Sequence, residues 1–278
     1  MLKARIITAL LLLPLVLGAI FLLPTWAFSL ALGAVVLLGA WEWARLVNVE
    51  RESSRWAWLG VAVVLMGLLG GGWAEPSPLL FPLLVLGAVW WVVASWQVVR
   101  FPGESVGDGA FRGPWALMVG LLVLIPAWAG LVWLHGLEGG PWFVLMVLVI
   151  TWAADVGAYF AGRGLGRHKL APRVSPGKTW EGAVGGVLLA LLAALLMYFL
   201  FPLPSLPLVA MLSIAAVTVV FSVFGDLYES LIKRRRGVKD SGTLLPGHGG
   251  VLDRIDSLTA TGTVFALGVY LMLPGASA

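Results

Sequence analysis

The 278-residue chain contains no cysteine, so disulfides, thiolate metal sites and cysteine nucleophiles are excluded. Charged residues make up only 12%, about half the share found in a soluble domain. So few Lys, Arg, Asp and Glu cannot cover a soluble surface, while the hydrophobic share reaches 60%. A soluble globular protein, a disordered chain and a secreted disulfide scaffold are thereby ruled out. Carboxamides are almost missing: Asn48 is the single Asn and Gln97 the single Gln. A heat-adapted source or a GC-rich genome would leave the same depletion.

What the chain has is long apolar runs. A helix needs about 20 apolar residues to cross a hydrocarbon core of ~30 Å. About nine stretches qualify: 6–23, 26–46, 57–73, 79–99, 115–134, 142–162, 182–201, 206–224 and 255–273. The third and eighth are short. The first follows Lys3 and Arg5 as a secretory signal would, but its run is too long and lacks an A-x-A cleavage site, so it reads as a retained span.

Charge placement supports this count. Basic residues flank the N-terminus (Lys3, Arg5) and follow span two (Arg45, Arg51, Arg55), span four (Arg100, Arg112), span six (Arg163 to Lys178) and span eight (Lys233 to Arg254). All these segments fall on one side, and the opposite loops carry Glu75 and Glu138 with no Lys or Arg. The positive-inside rule places the N-terminus in the cytoplasm and the C-terminus outside. The expected fold is all-α, a multi-pass protein of the inner (cytoplasmic) membrane. Trp26, Trp73 and Trp142 near span ends fit an interfacial belt. Gly70, Gly71, Gly72, Gly185 and Gly186 permit close helix packing. Spans one to five contain no chemistry-bearing cluster, which divides the chain into N-terminal helices (1–140) and a C-terminal region (141–278) where any catalytic residues are expected.

Informative polar residues lie between Asp155 and Asp256. Asp155 sits inside span six, roughly 10 Å below its cytoplasmic end at 1.5 Å per residue. A carboxylate at that depth faces a bundle interior or wet cavity, as a functional group or as one satisfied by a neighbouring helix. Glu42 in span two, with Arg45 at i+3, reads as a local ion pair. In loop six, Gly177, Lys178 and Thr179 resemble a P-loop only superficially, because Pro172 occupies the position that needs glycine. A helix start fits better, with Ser175 as cap and Pro176 as the first helical residue. Its backbone N–H groups and Lys178 would then suit a phosphate oxygen.

Loop eight is more specific. Asp226, Glu229 and Lys233 share one helical face as span eight leaves the membrane, and Asp253 and Asp256 share a face where span nine begins. Two carboxylate pairs from different helices thus bracket a glycine-rich, basic loop. Hard oxygen ligands beside Lys and Arg are what a magnesium–nucleotide site requires. A basic run alone would bind anionic headgroups, but the paired carboxylates would weaken that binding.

These residues resemble the C-terminal signature of the phosphatidate cytidylyltransferase (CDP-diacylglycerol synthase) family. Ser230, Lys233, Arg234, Lys239, Asp240, Gly242, Pro246, His248, Gly249, Gly250, Asp253, Arg254 and Asp256 fill its positions without a gap. The segment 175–182 is similar to the family's central motif, with Gly177 where Lys is common, and Asp155 matches a position in span six.

The resemblance implies a magnesium-dependent membrane enzyme that joins CTP and phosphatidic acid into CDP-diacylglycerol and releases pyrophosphate. A second cation, contact with membrane lipids, a homodimer and no nucleic-acid partner belong to the same expectation. Asp226 and Asp253 are the expected metal ligands, with Asp256 as a further ligand or orienter and Asp155 completing the site or orienting Lys239. Lys178, Lys233, Arg234, Lys239 and Arg254 would hold phosphates, with Ser230 as a further substrate contact. Gly249 and Gly250 would let backbone approach the triphosphate. His248 would donate to a phosphate oxygen or only order its loop. Two rivals remain at this point. A CTP-using polyprenol kinase would direct attack to the γ-phosphorus, and an ion-coupled transporter would use Asp155 and Asp226 as ion sites.

Overall fold

The computed structural model describes residues 2–70, 77–103, 111, 113–203, 206–244 and 249–273, with 2–9 and 70 as backbone only. Among them run nine helices: α1 (Leu2–Leu22), α2 (Thr25–Leu46), α3 (Glu52–Gly70), α4 (Leu80–Arg100), α5 (Gly113–Gly136), α6 (Gly140–Leu165), α7 (Trp180–Leu200), α8 (Leu208–Arg236) and α9 (Leu252–Met272). Among the described residues seven of them, α2 and α4 to α9, are long and apolar enough to cross a membrane. The chain is an all-α polytopic membrane protein. Pro14 and Pro126 sit inside α1 and α5, as bilayer helices tolerate where neighbours satisfy the freed backbone.

Lipid-facing and protein-facing surfaces separate cleanly. On α7, Leu188, Leu192, Leu196 and Leu200 form an exposed i+4 stripe, the surface a helix turns to hydrocarbon. Its opposite side meets α6 through small residues. A Cβ at Gly157 would lie 2.5 Å from the Gly185 carbonyl oxygen, and one at Gly186 2.7 Å from that of Ala154. Side chains there would push the helices apart, so the glycines set the approach. Gly185 and Gly186 thus pack as expected, whereas Gly71 and Gly72 lie outside the described residues.

Helix α9 is the centre of the bundle. It packs against α8, α5, α4, α6 and α2, and buries Thr259, Thr261 and Thr263. These hydroxyls are satisfied inside the bundle: Thr151 Oγ1 donates to Thr261 Oγ1 at 3.1 Å, and Thr263 Oγ1 to the Thr259 carbonyl at 2.9 Å. The first turn of α9, which carries Asp253, is therefore held by both halves of the chain.

The segment after α6 departs from the expected helix start. Residues Lys169–Ala171 (β1) and Ser175–Thr179 (β2) form an antiparallel hairpin, with Lys169 opposite Thr179 and Ala171 opposite Ser175. Ser175 and Pro176 are strand residues, and the cap falls at Thr179. Its extended backbone (φ −128°, ψ 156°) lets Oγ1 accept from Gly182 N at 3.1 Å. Glu181 then folds back to accept from the backbone N–H groups of Arg167 and His168 at 3.1 and 3.2 Å. Those contacts, with Trp180 N donating to the His168 carbonyl at 2.9 Å, favour a hairpin against the α7 start over another helical turn.

Candidate active site at one mouth of the bundle

Three elements bring carboxylates and lysines together. Helix α8 continues past its apolar stretch to Arg236 and carries Asp226, Glu229, Ser230 and Lys233 on successive turns of one face. Asp226 Oδ2 lies 2.7 Å from Lys178 Nζ on β2, and its Oδ1 accepts from Ser230 Oγ at 3.3 Å. The hairpin therefore delivers Lys178 to α8. Arg234 strengthens that link, with Nε donating to the Val174 carbonyl at 3.1 Å.

Asp226 and Lys178 line a cavity of about 540 Å³ between α6, the hairpin, α7 and α8, together with Asp155, Tyr159, Arg163 and Ser222. Asp155 is exposed toward it, and the charges of Asp226, Lys178 and Arg254 all act on Asp155. Asp256, on the second turn of α9, is reached by the charges of Asp226 and Lys178. Asp155, Asp226 and Asp256 thus act on one another electrostatically from three helices, with Asp155 and Asp226 lining the cavity.

Asp253 is placed differently. Its Oδ1 takes Lys233 Nζ at 2.6 Å, and its Oδ2 accepts from Ser241 N at 2.9 Å and Gly250 N at 2.8 Å. The lysine also reaches Glu229 Oε2 at 3.0 Å, bridging α8 to α9. Asp253 does not line the cavity that holds Asp226. The structure brings Asp226 and Asp155 to one cavity, which neither Asp253 nor Asp256 lines, and commits one oxygen of Asp253 to Lys233 and the other to the loop before α9. Gly249, at φ +81°, takes a left-handed turn that a side chain resists, and its missing Cβ leaves room for Asp253 Oδ2.

Among the described residues, no group of three or more His, Asp or Glu side chains stands close enough to cage a metal. Magnesium does not need a cage. It takes one or two carboxylates, with substrate phosphates and waters filling the octahedron. The donor set fits that pattern: Asp155 and Asp226 line the cavity beside Lys178, and Asp256 stands under the charge of both Asp226 and Lys178. Glu229 Oε1 is also buried without a hydrogen-bond partner, although Asp256 bears on this carboxylate. Hard carboxylate oxygens gathered beside a lysine suit a divalent cation.

A sequence model of the cytidylyltransferase family matches residues 3–272 of the chain. The chain belongs to the cytidylyltransferase family. Among its relatives is a Pseudomonas aeruginosa protein named phosphatidate cytidylyltransferase, 51% identical over 267 residues, covering 96% of each chain. A Haemophilus influenzae protein of the same name is 39% identical over 289 residues, covering 98% of this chain and 100% of the relative. A third, from Brucella suis, is 37% identical over 275 residues, covering 96% and 92%.

Of the remaining predicted site residues of this cytidylyltransferase-family chain, Lys239 and Arg254 are described. Lys239 is exposed and lines a second cavity of about 510 Å³ with Arg45, Arg55, Arg236 and Asp240. Arg254 is exposed at the start of α9. His248 and Pro246 lie outside the described residues.

One residue takes a role the sequence reading did not give it. Glu42 does not pair with Arg45. Three residues along a helix leave about 60° between side chains, and here that angle turns Glu42 inward, 1% exposed, while Arg45 stays on the surface. The Glu42 carboxylate instead accepts from Ser241 Oγ (3.1 Å), Val251 N (3.1 Å) and Leu252 N (2.8 Å). No spacing rule finds this contact, because two of its three donors are backbone groups more than 200 positions away.

Proposed function

We propose that the chain transfers the cytidylyl group of CTP to phosphatidic acid, giving CDP-diacylglycerol and pyrophosphate. The carrying observation is a carboxylate–lysine cavity at one mouth of a membrane bundle in a cytidylyltransferase-family chain. A phosphatidate oxygen attacks the α-phosphorus of CTP in line, forming the new P–O bond as the bond to the β-phosphate breaks. The nucleophile is already anionic near neutral pH, since a phosphomonoester has a second pKa near 6. No general base is then required, and catalysis rests on positioning and charge neutralisation.

Lys178 and Arg254 face the Asp226 cluster and hold phosphate oxygens there. Lys239, Arg234 and the backbone at Gly249 and Gly250 hold the triphosphate, and His248 would donate to the departing pyrophosphate. Asp226 and Asp256, with Asp155, would hold magnesium, while Asp253 keeps Lys233 and the loop in place. Bound there, magnesium would neutralise phosphate charge as it develops on the pyrophosphate. Room for a second cation, and a homodimer, belong to the same proposal.

Purified protein given α-labelled CTP and phosphatidate should move the label into lipid and release pyrophosphate, with turnover dependent on magnesium. Release of CDP instead would assign the chain to the kinase class. The polar groups gather at one mouth rather than near mid-membrane in several spans, which disfavours transport.

The chain sits in the inner membrane with its N-terminus and site in the cytoplasm. A reporter inserted at Gly237 should read as cytoplasmic and one fused after Ala278 as external. Ala278 lies outside the described residues, so a cytoplasmic reading there would revise the number of crossings.

A further inference from the structure

The N-terminal helices contribute a side chain to the organisation of the site. Helix α9 begins at Leu252, and its N-cap, Val251, has no side-chain acceptor. The first N–H groups of a helix have no partner within the helix, and leaving them unpaired in a buried setting is costly. Here the acceptor comes from α2: Val251 N and Leu252 N both donate to Glu42. A carboxylate at that end also opposes the positive pole of the helix.

The fit around this carboxylate is close on every side. A Cβ at Gly242 would collide with the Glu42 carboxylate, and one at Gly250 with Glu42 and Ser241 Oγ. One turn earlier, Gly39 lets α9 approach, since its Cβ would stand 3.1 Å from Ile255 Cδ1. On the neighbouring side Trp43 Nε1 donates to the Ala116 carbonyl at 2.9 Å, which fixes the rotation of α2 against α5. Ser241 joins the two carboxylates: its Oγ donates to Glu42 Oε2, its N–H to Asp253 Oδ2, and Asp253 N donates back to its Oγ at 3.3 Å. Among the described residues no Lys or Arg lies within ion-pair distance of Glu42.

We propose that Glu42 is a positioning residue for cytidylyl transfer, its carboxylate on α2 holding Ser241, Val251 and the first turn of α9 so that Asp253 keeps its grip on Lys233 beside the site. This rests on the function proposed above. Glu42 touches no reacting atom and acts through Ser241 and the α9 amides. Both of its oxygens accept hydrogen bonds, so Gln cannot replace it: the amide nitrogen would face a donor in either orientation. Asp keeps both acceptors but withdraws them by about one methylene, roughly 1.5 Å.

The test uses the full-length protein in detergent, comparing wild type with Glu42→Gln, Glu42→Asp and Ser241→Ala. Glu42→Gln should lose about 10–100-fold in kcat, the scale on which residues that orient ligands act, with the KM for phosphatidate within about twofold. Glu42→Asp should recover part of that loss, and Ser241→Ala should lose kcat in the same direction by less. Amide exchange should rise at 250–254 and stay unchanged in α6. A Glu42→Gln protein with wild-type kcat, or exchange rising equally throughout the bundle, overturns the proposal. Should Glu42→Gln not accumulate, Ser241→Ala decides alone, since wild-type kcat and exchange in that variant also overturn it. The exchange comparison needs no substrate, so it still tests Glu42 if the wild-type protein makes no CDP-diacylglycerol, an outcome that would instead sink the assigned reaction.

Discussion

Asp226→Asn should lower turnover at least a thousandfold while the protein still inserts and melts at or above the wild-type temperature. Asp226 stands where three influences meet: Lys178 at 2.7 Å, Ser230 on its other oxygen, and the charges of Asp155 and Asp256. Neutralising it removes the anionic group at the centre of the cavity and releases Lys178 from its fixed position. A thousandfold loss corresponds to about 4 kcal/mol of transition-state stabilisation, within reach of a group that neutralises phosphate charge.

Stability should move the other way. The Lys178–Asp226 pair is partly solvated, its side chains 27% and 33% exposed, and such pairs contribute little, about 0–1 kcal/mol. Against that stands relief of repulsion among Asp226, Asp155 and Asp256. Steady-state assays with CTP and phosphatidate, beside thermal melts in detergent, separate the two effects. A folded Asp226→Asn protein turning over at near wild-type rate would remove Asp226 from the reaction.

The long apolar runs, the continuation of α8 beyond the membrane and the family itself were legible in the sequence, because each leaves a local pattern: a run of about 20 apolar residues, a helical spacing, a fixed motif. The hairpin was not. Its strands span Lys169–Ala171 and Ser175–Thr179, too short for a period-two pattern, and Ser175 followed by Pro176 imitates a helix start. What excludes the helix is tertiary, the grip of Glu181 on Arg167 and His168. The placement of Asp253 was hidden for a related reason. Its spacing from Asp256 puts both on one helix face, but the backbone N–H groups of Ser241 and Gly250 claim one oxygen and Lys233 the other. Backbone donors carry no residue identity, so a sequence motif cannot announce them. Glu42 is the extreme case, with donors at 241, 251 and 252.

Lys233→Met should cost both activity and fold, unlike Asp226→Asn. Lys233 is 14% exposed and is the cation shared by Glu229, 4% exposed, and Asp253, 6% exposed. Methionine fills much the same volume without charge, leaving two buried carboxylates facing each other across α8 and α9. Removing one partner of a buried ion pair costs about 3–5 kcal/mol, because the remaining charge is left uncompensated. A deficit of that size is a large part of the stability of most domains, so the melting temperature should fall sharply and yield in the membrane should drop. The second variant, Lys233→Arg, keeps the charge but brings a planar fork where a compact ammonium sits between two oxygens. It should restore most of the stability and little of the turnover, because Asp253 would be displaced and with it the loop bound at Ser241 and Gly250. If Lys233→Met melts as wild type does, the bridge between α8 and α9 is not what holds this mouth together, and the apolar packing of α9 against α5 and α8 carries it instead.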